Sequence, residues 1–265
     1  LWICFGIGLL IVLLSAAAGR IVGAQKPAAV DEGEVKSGAA AVKDKNFAIE
    51  GASLVFRSKY LISILCIVGF YEIVSTTVDF QFSSTICHYL DPVLNPGVDE
   101  GAIGRQFATM FAITNWVSMF VQLFLTSFIM TRFGLTAALM VLPVAVLAGS
   151  FGFMAVPILW VGSFLNTADN GFSYSINQSA KETLYVPLSR KEKYKAKAFI
   201  DMFGQRFAKA IAVLLSLVIT TVFTDFAAIR WLSLLVFVIV VLWIIAVRYA
   251  GKQFNKLSEQ TSKDG

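Results

Sequence analysis

The stretch FIDMFGQRFAKAIAVLLSLVITTVF, residues 199–223, is long and apolar enough to cross a bilayer, yet its first half carries Asp201, Gln205, Arg206 and Lys209. A central Arg or Lys costs at least ~2.5 kcal/mol on insertion scales, so such side chains face a cavity, a partner or a substrate rather than lipid. The rest of the chain has the same character. It is 57% hydrophobic and only 15% charged over 265 residues, with a mean hydropathy of +0.73, which excludes an ordinary soluble domain.

Seven spans are predicted, at 1–18, 60–80, 107–130, 135–153, 156–174, 199–223 and 231–249. Lys and Arg test this division, because they accumulate on cytoplasmic flanks. They alternate from one connection to the next. Only Arg105 and Arg230 fall on the outer set, and only Arg206 and Lys209 fall inside a span. The pattern predicts an integral membrane protein with a cytoplasmic C-terminus. It also assigns the net charge of +5 to topology and to anionic inner-leaflet lipid, not to nucleic acid.

Residue 1 is Leu and already lies in an apolar run, which predicts a chain that begins within a larger protein. The polar stretch 25–50, rich in Ala, Gly, Lys and Glu, reads as part of a flexible linker. A long cytoplasmic connection followed by six spans is the expected division of a two-bundle transporter. The predicted fold is therefore an all-α polytopic membrane bundle. In that division 1–18 is the last helix of a missing N-terminal half, 19–59 the linker, 60–249 a six-helix C-terminal bundle and 250–265 a cytoplasmic tail. Asp91-Pro92 and Asn95-Pro96-Gly97 mark a turn on the outer side.

At 100° per residue, polar side chains fall into rows on three spans. Glu72, Ser75, Thr76 and Asp79 lie within roughly 100° of arc. Asn166, Asp169, Asn170, Ser173 and Asn177 form a longer row that Lys181 extends toward the cytoplasm. Asp201, Gln205, Lys209 and Arg206 span about 140°. Hydrocarbon penalises unsatisfied polar groups, so these rows should face inward. Interhelical hydrogen bonds would explain them, and so would a water-filled path for a polar solute. Four acids and two bases on three helices favour the path. Arg206 can instead snorkel to the interface, Asp79 can be solvated near the outer end, and Asp201 can serve as a structural partner. Cys4, Cys66 and Cys87 show no metal or redox spacing, and His88 is the single histidine, so no metal and no cofactor are expected.

Two segments carry a family resemblance. Lys181, Glu182, Tyr185, Pro187 and Leu188 match a (K/R)-E-x-x-Y-x-P-L pattern, and Lys193, Lys195, Lys197, Ala198, Ile200 and Asp201 match K-x-K-(G/A)-K-A-x-I-D. Lys209 stands eight residues after that aspartate. These residues resemble the ATP/ADP translocase family of bacteria and plastids, nucleotide transporters distantly similar to the major facilitator superfamily. The resemblance implies the C-terminal half of a twelve-helix exchanger. Its intramembrane lysine corresponds to Lys209, and its glutamate after the central loop is best matched by the shorter Asp79. Where nucleotide exchangers have Gly-Lys-Ser-Gly-Gly, this chain has Ala208-Lys209-Ala210-Ile211-Ala212. That places it nearer a broad bacterial branch of translocase-like proteins.

The function expected from residues and resemblance together is an antiporter exchanging ATP for ADP by alternating access, with the bilayer and the missing half as partners. Lys209 and Arg206 would hold polyphosphate, Asn166, Asn170 and Asn177 ribose or base, and Glu72, Asp79 and Asp169 would tune the field. Lys181, Lys195, Lys197 and Asp201 would form the cytoplasmic mouth. Acids outnumber bases, which also suits a proton-coupled transporter of another organic solute. A non-transporting platform for regulatory domains is a third reading. No phosphate-cradling glycine loop or nucleophile-base arrangement points to an enzyme.

Overall fold

A computed structural model describes residues 45–222 and 226–264; the expected span 1–18, most of the expected linker and residue 223 lie outside the described residues. Every described element is helical. The first, α1 (Lys45–Arg57), occupies the end of the stretch expected to be linker. Its place is fixed by close contact: a Cβ on Gly51 would lie 2.9 Å from the Lys195 carbonyl oxygen, and Phe56 meets Phe199 edge-on at 6.3 Å.

The Ser58 side chain accepts from Leu61 N–H and caps α2 (Lys59–Leu90). At 32 residues this helix is roughly 48 Å long, well beyond the ~30 Å hydrocarbon core and beyond the expected 60–80 span. It continues because Phe82, Thr85 and Ile86 extend its buried stripe. It stops at Asp91-Pro92, where the ring removes a ladder donor. Asp91 Oδ1 then accepts from Val93 N–H at 2.8 Å, and Gly97 turns the chain at φ 107°.

Next come α3 (Ala102–Phe120), a π turn (Val121–Leu125) and α4 (Thr126–Ala155). This 54-residue run would measure roughly 80 Å as one rod, too long for one crossing. It reverses at Gly134 (φ 80°, ψ 177°), a conformation open to a residue without Cβ. The next rod, residues 159–183, where the sequence predicts a span at 156–174, consists of α5 (Leu159–Phe172), a π turn (Ser173–Asn177) and α6 (Gln178–Thr183). After a turn, α7 (Arg190–Phe199) opens with a capping box between Ser189 and Glu192, then passes through the π turn Ile200–Gly204 into α8 (Gln205–Val222). A 3₁₀ turn (Phe226–Arg230) leads into α9 (Trp231–Asp264), whose helix continues through the expected tail.

Four stretches have the length and hydropathy to cross a membrane: Lys59–Leu90, Ala102–Ala155, Arg190–Thr221 and Trp231–Glu259. The protein is thus an all-α polytopic membrane bundle. The central helix is α2, which packs against α5, α8 and α9, while α4 packs against α5 and α9. Ile64, Ile67, Val74, Leu139, Leu142 and the fully buried Trp243 fill the space between them. Lipid offers the same apolar surroundings as a neighbouring helix, so close backbone approach has to supply much of the cohesion. At Gly251 a Cβ would fall 2.1 Å from Thr136 Oγ1, which shows how tightly α9 seats on α4. At the turn end, Gln81 Nε2 donates to Ile229 O and to Ser233 Oγ, and His88 stacks on Phe226 with ring centres 3.7 Å apart.

Candidate transport site

The position of the site follows from how α8 meets α2. Ala208, Ala212 and Ser216, spaced four apart, are buried, and a Cβ added at Gly69 would lie 4.0 Å from the Ala208 Cβ. Small residues on this stripe let the two helices approach closely. Gln205 and Lys209 lie on one shoulder of the stripe and reach a cavity of about 260 Å³. Arg206 is exposed and is not among the residues lining that cavity, since it lies about 160° around the helix from Ala208. Phe203 and Phe207 also point outward, 51% and 70% exposed, as lipid-facing side chains would.

One wall of the cavity comes from α2, with Tyr71, Glu72, Ser75, Thr76 and Asp79. The opposite wall is the 159–183 rod, which contributes Asn170, Ser173, Tyr174, Asn177, Gln178 and Lys181. Most of these belong to the rows that helical spacing predicts. Tyr71, Tyr174 and Gln178 do not, and they flank the rows by one position. The π turn Ser173–Asn177 lies in this wall, and such wider turns recur at functional sites because they re-aim side chains. It packs against the π turn Val121–Leu125, where Thr126 Oγ1 donates to the Val121 carbonyl at 3.1 Å.

The charged groups have different partners. Lys209 Nζ stands 3.4 Å from Glu72 Oε2; the lysine side chain is 60% exposed and the glutamate 9%. Asp79 Oδ1 accepts from Asn166 Nδ2 at 2.6 Å and from Asn170 Nδ2 at 3.4 Å, so amides hold this acid. Asp169 is fully buried behind Ser75, whose hydroxyl donates to Oδ2 at 2.6 Å; its Oδ1 has no partner among the described residues. Lys181 is buried in the cavity wall. Glu72, Asp79, Asn170, Asn177, Lys181 and Lys209 therefore meet in one space, with Asn166 and Asp169 immediately behind it.

The expected mouth residues are arranged otherwise. Lys197 Nζ donates to both carboxylate oxygens of Glu182 at 2.7 Å, tying α7 to α6. Lys195 pairs with Glu50 on α1. Asp201 is near enough to Lys181 and Lys197 to feel both charges, and its buried Oδ1 has no partner among the described residues. Tyr60 Oη donates to the Leu184 carbonyl at 2.6 Å, pinning the turn after α6 to the start of α2. Glu50 and Tyr60 were not among the residues expected to matter; both emerge only from the contact of α1 and α2 with the lysine-rich end. A separate groove of about 360 Å³ between α8 and α9 is lined by Ile219, Trp231, Leu234, Leu235 and Val238, and has the chemistry of a lipid-facing crevice.

The sequence profile of the family described as TLC ATP/ADP transporter matches residues 3–254. Among curated relatives, ADP,ATP carrier protein 1 of Chlamydia trachomatis is 26% identical over 226 residues, covering 77% of this chain and 42% of the relative. ADP,ATP carrier protein 3 of Rickettsia typhi is 26% identical over 247 residues, covering 84% of this chain and 47% of the relative. The chain thus spans less than half the length of these relatives. No solved structure matches it at a significant level.

Proposed function

Because the chain belongs to the TLC ATP/ADP transporter family, we propose that the complete protein exchanges ATP for ADP across a bacterial inner membrane, this chain supplying one six-helix bundle. The bundle works by alternating access, rocking against a second half of the complete protein. Residues 19–59 link the halves, and the lysine-rich end faces the cytoplasm. The observation that carries this reading is the cavity between α2, the 159–183 rod and α8, where Lys181 and Lys209 face a space rich in amides and hydroxyls. At about 260 Å³ it falls just below the ~300–1,000 Å³ usual for small-molecule sites, as expected of half a site closed by a second bundle.

The cations favour a polyphosphate, and the acids serve the empty state. Glu72 neutralises Lys209 when no anion is bound, and a nucleotide phosphate displaces it. An empty carrier then keeps its charges matched, while a loaded one matches them with substrate. Uptake of labelled ATP into vesicles preloaded with ADP tests the reading. Uptake that needs internal nucleotide supports it; no uptake from the complete, folded protein defeats it.

A second reading rests on Asp169. A carboxyl buried completely, with one oxygen unpartnered, is a costly arrangement and suits a group that carries a proton during transport of another organic solute. Solute uptake driven by a pH gradient and abolished in Asp169→Asn, without nucleotide exchange, would select this alternative.

A further inference from the structure

Lys181 stands apart from the other lysines of the bundle. It is 7% exposed, lines the cavity, and among the described residues makes neither a hydrogen bond nor a contact ion pair. Two acids act on it through space, Glu72 from α2 and Asp201 from the π turn before α8. Both are shared. Glu72 lies 3.4 Å from Lys209, and Asp201 also feels Lys197. The stem of Lys181 is packed in the wall and its ammonium reaches the cavity, where a ligand that brings negative charge would supply the contact anion that the described residues do not.

A second orphan lies one helical turn earlier. Asn177 is 5% exposed, lines the same cavity, and its Oδ1 is buried without a partner among the described residues. Its Nδ2, which is not the buried atom, makes no hydrogen bond among the described residues and can donate to a ligand oxygen. Gln178 and Gln205 line the same end. Asp79 lies seven residues from Glu72 along α2, roughly 10 Å toward the opposite end. Its carboxylate repels phosphate but accepts hydrogen bonds from ribose hydroxyls or an exocyclic amine.

Resting on the nucleotide reading above, we propose that Lys181 and Asn177 form the phosphate subsite of this half and that Lys209 completes it on leaving Glu72. The bound nucleotide then lies with its phosphates toward the lysine-rich end and its nucleoside toward Asp79. Lys181 is the resident anchor, because no protein carboxylate has to be displaced from it. Lys209 is the second contact, released only when the ligand competes with Glu72.

The test is calorimetric binding of pyrophosphate and of ATP to the complete protein, purified in detergent, as wild type, Lys181→Met and Lys181→Arg. Lys181→Met, which keeps most of the side-chain volume, should weaken pyrophosphate and ATP at least about tenfold and flatten their salt dependence. Lys181→Arg should restore most of the affinity, which a packing role alone would not do. Should Lys181→Met fail to fold, Lys181→Gln is read in the same way. Unchanged pyrophosphate affinity in the charge-removed variant overturns the subsite, even where ATP exchange by the wild type is intact. Pyrophosphate binding that depends on Lys181, without any binding of ATP, keeps the anion anchor and removes the nucleotide. A wild type that binds neither overturns both.

Discussion

Two pairs of lysines sit within a few turns of each other and face opposite circumstances. Lys195 and Lys197, at the end of the bundle, are matched by Glu50 and Glu182, and their side chains are about a third exposed. Lys181 and Lys209 line the cavity, the first without a contact anion and the second beside an acid that a ligand can replace. Abundance of charge is therefore a poor guide to where an anion binds. Lys195 and Lys197 hold helices together, whereas Lys181 and Lys209 remain available to a substrate.

The largest expected effect breaks this contrast directly. Lys209→Ala should lower kcat/KM for nucleotide exchange by about 10- to 100-fold at equal expression, while Lys193→Ala, on the half-exposed face of α7, should remain near wild type. Equal activity of the two variants would remove Lys209 from the site. Glu72→Gln sharpens the same point with a smaller effect of opposite sign on binding. Without its resident anion, Lys209 should hold nucleotide about three- to tenfold more tightly, and turnover should slow because release no longer gains the internal pair. A raised KM would show that Glu72 supports the ligand instead of competing with it.

The lysine-rich end should respond weakly. Lys197 donates to both Glu182 oxygens, but with side chains 33% and 38% exposed the pair is well screened. A double-mutant cycle with Lys197→Met and Glu182→Gln should give a coupling of about 1 kcal/mol or less in thermal stability, with exchange within about twofold of wild type. A coupling of several kcal/mol would make this pair a gate and not a tie.

The fold was largely legible because bilayer thickness and chain breakers leave few choices. Asp91-Pro92 ends α2 where the sequence places a break, whereas the 159–183 rod is not among the four stretches with the length and hydropathy to cross. Helical spacing also brought Glu72, Asp79, Asn170, Asn177, Lys181 and Lys209 to one face of their respective helices. It could not choose the edge of a broad row. The row of Asp201, Gln205, Lys209 and Arg206 spans about 140°, and the packing of α8 on α2, with Ala208, Ala212 and Ser216 buried, leaves Lys209 lining the cavity and Arg206 not. Nor did local sequence announce the π turns, whose wider winding depends on packing against neighbours. Helix α1 was hidden for a related reason, since its position rests on Glu50, Gly51 and Phe56 meeting α7, far away in sequence.

The smallest effect belongs to the opposite end, where Arg105 and Asp99 form a pair at 2.5 Å with side chains 65% and 64% exposed. The hydrogen bond from Arg105 holds the Asp99 carboxyl below its ordinary range. With a folded value lower than the unfolded one, the pair contributes above the unfolded pKa, and the contribution disappears as pH falls through the folded pKa. Water screens this pair almost completely, so Asp99→Asn should leave the thermal midpoint unchanged at neutral pH and alter its acid dependence only marginally. Exchange should be unaffected as well. A clear loss of exchange in Asp99→Asn, with the midpoint intact, would mean that the turn after α2 takes part in closing the opposite face, and that availability of charge within the cavity is not the only thing separating working lysines and acids from structural ones.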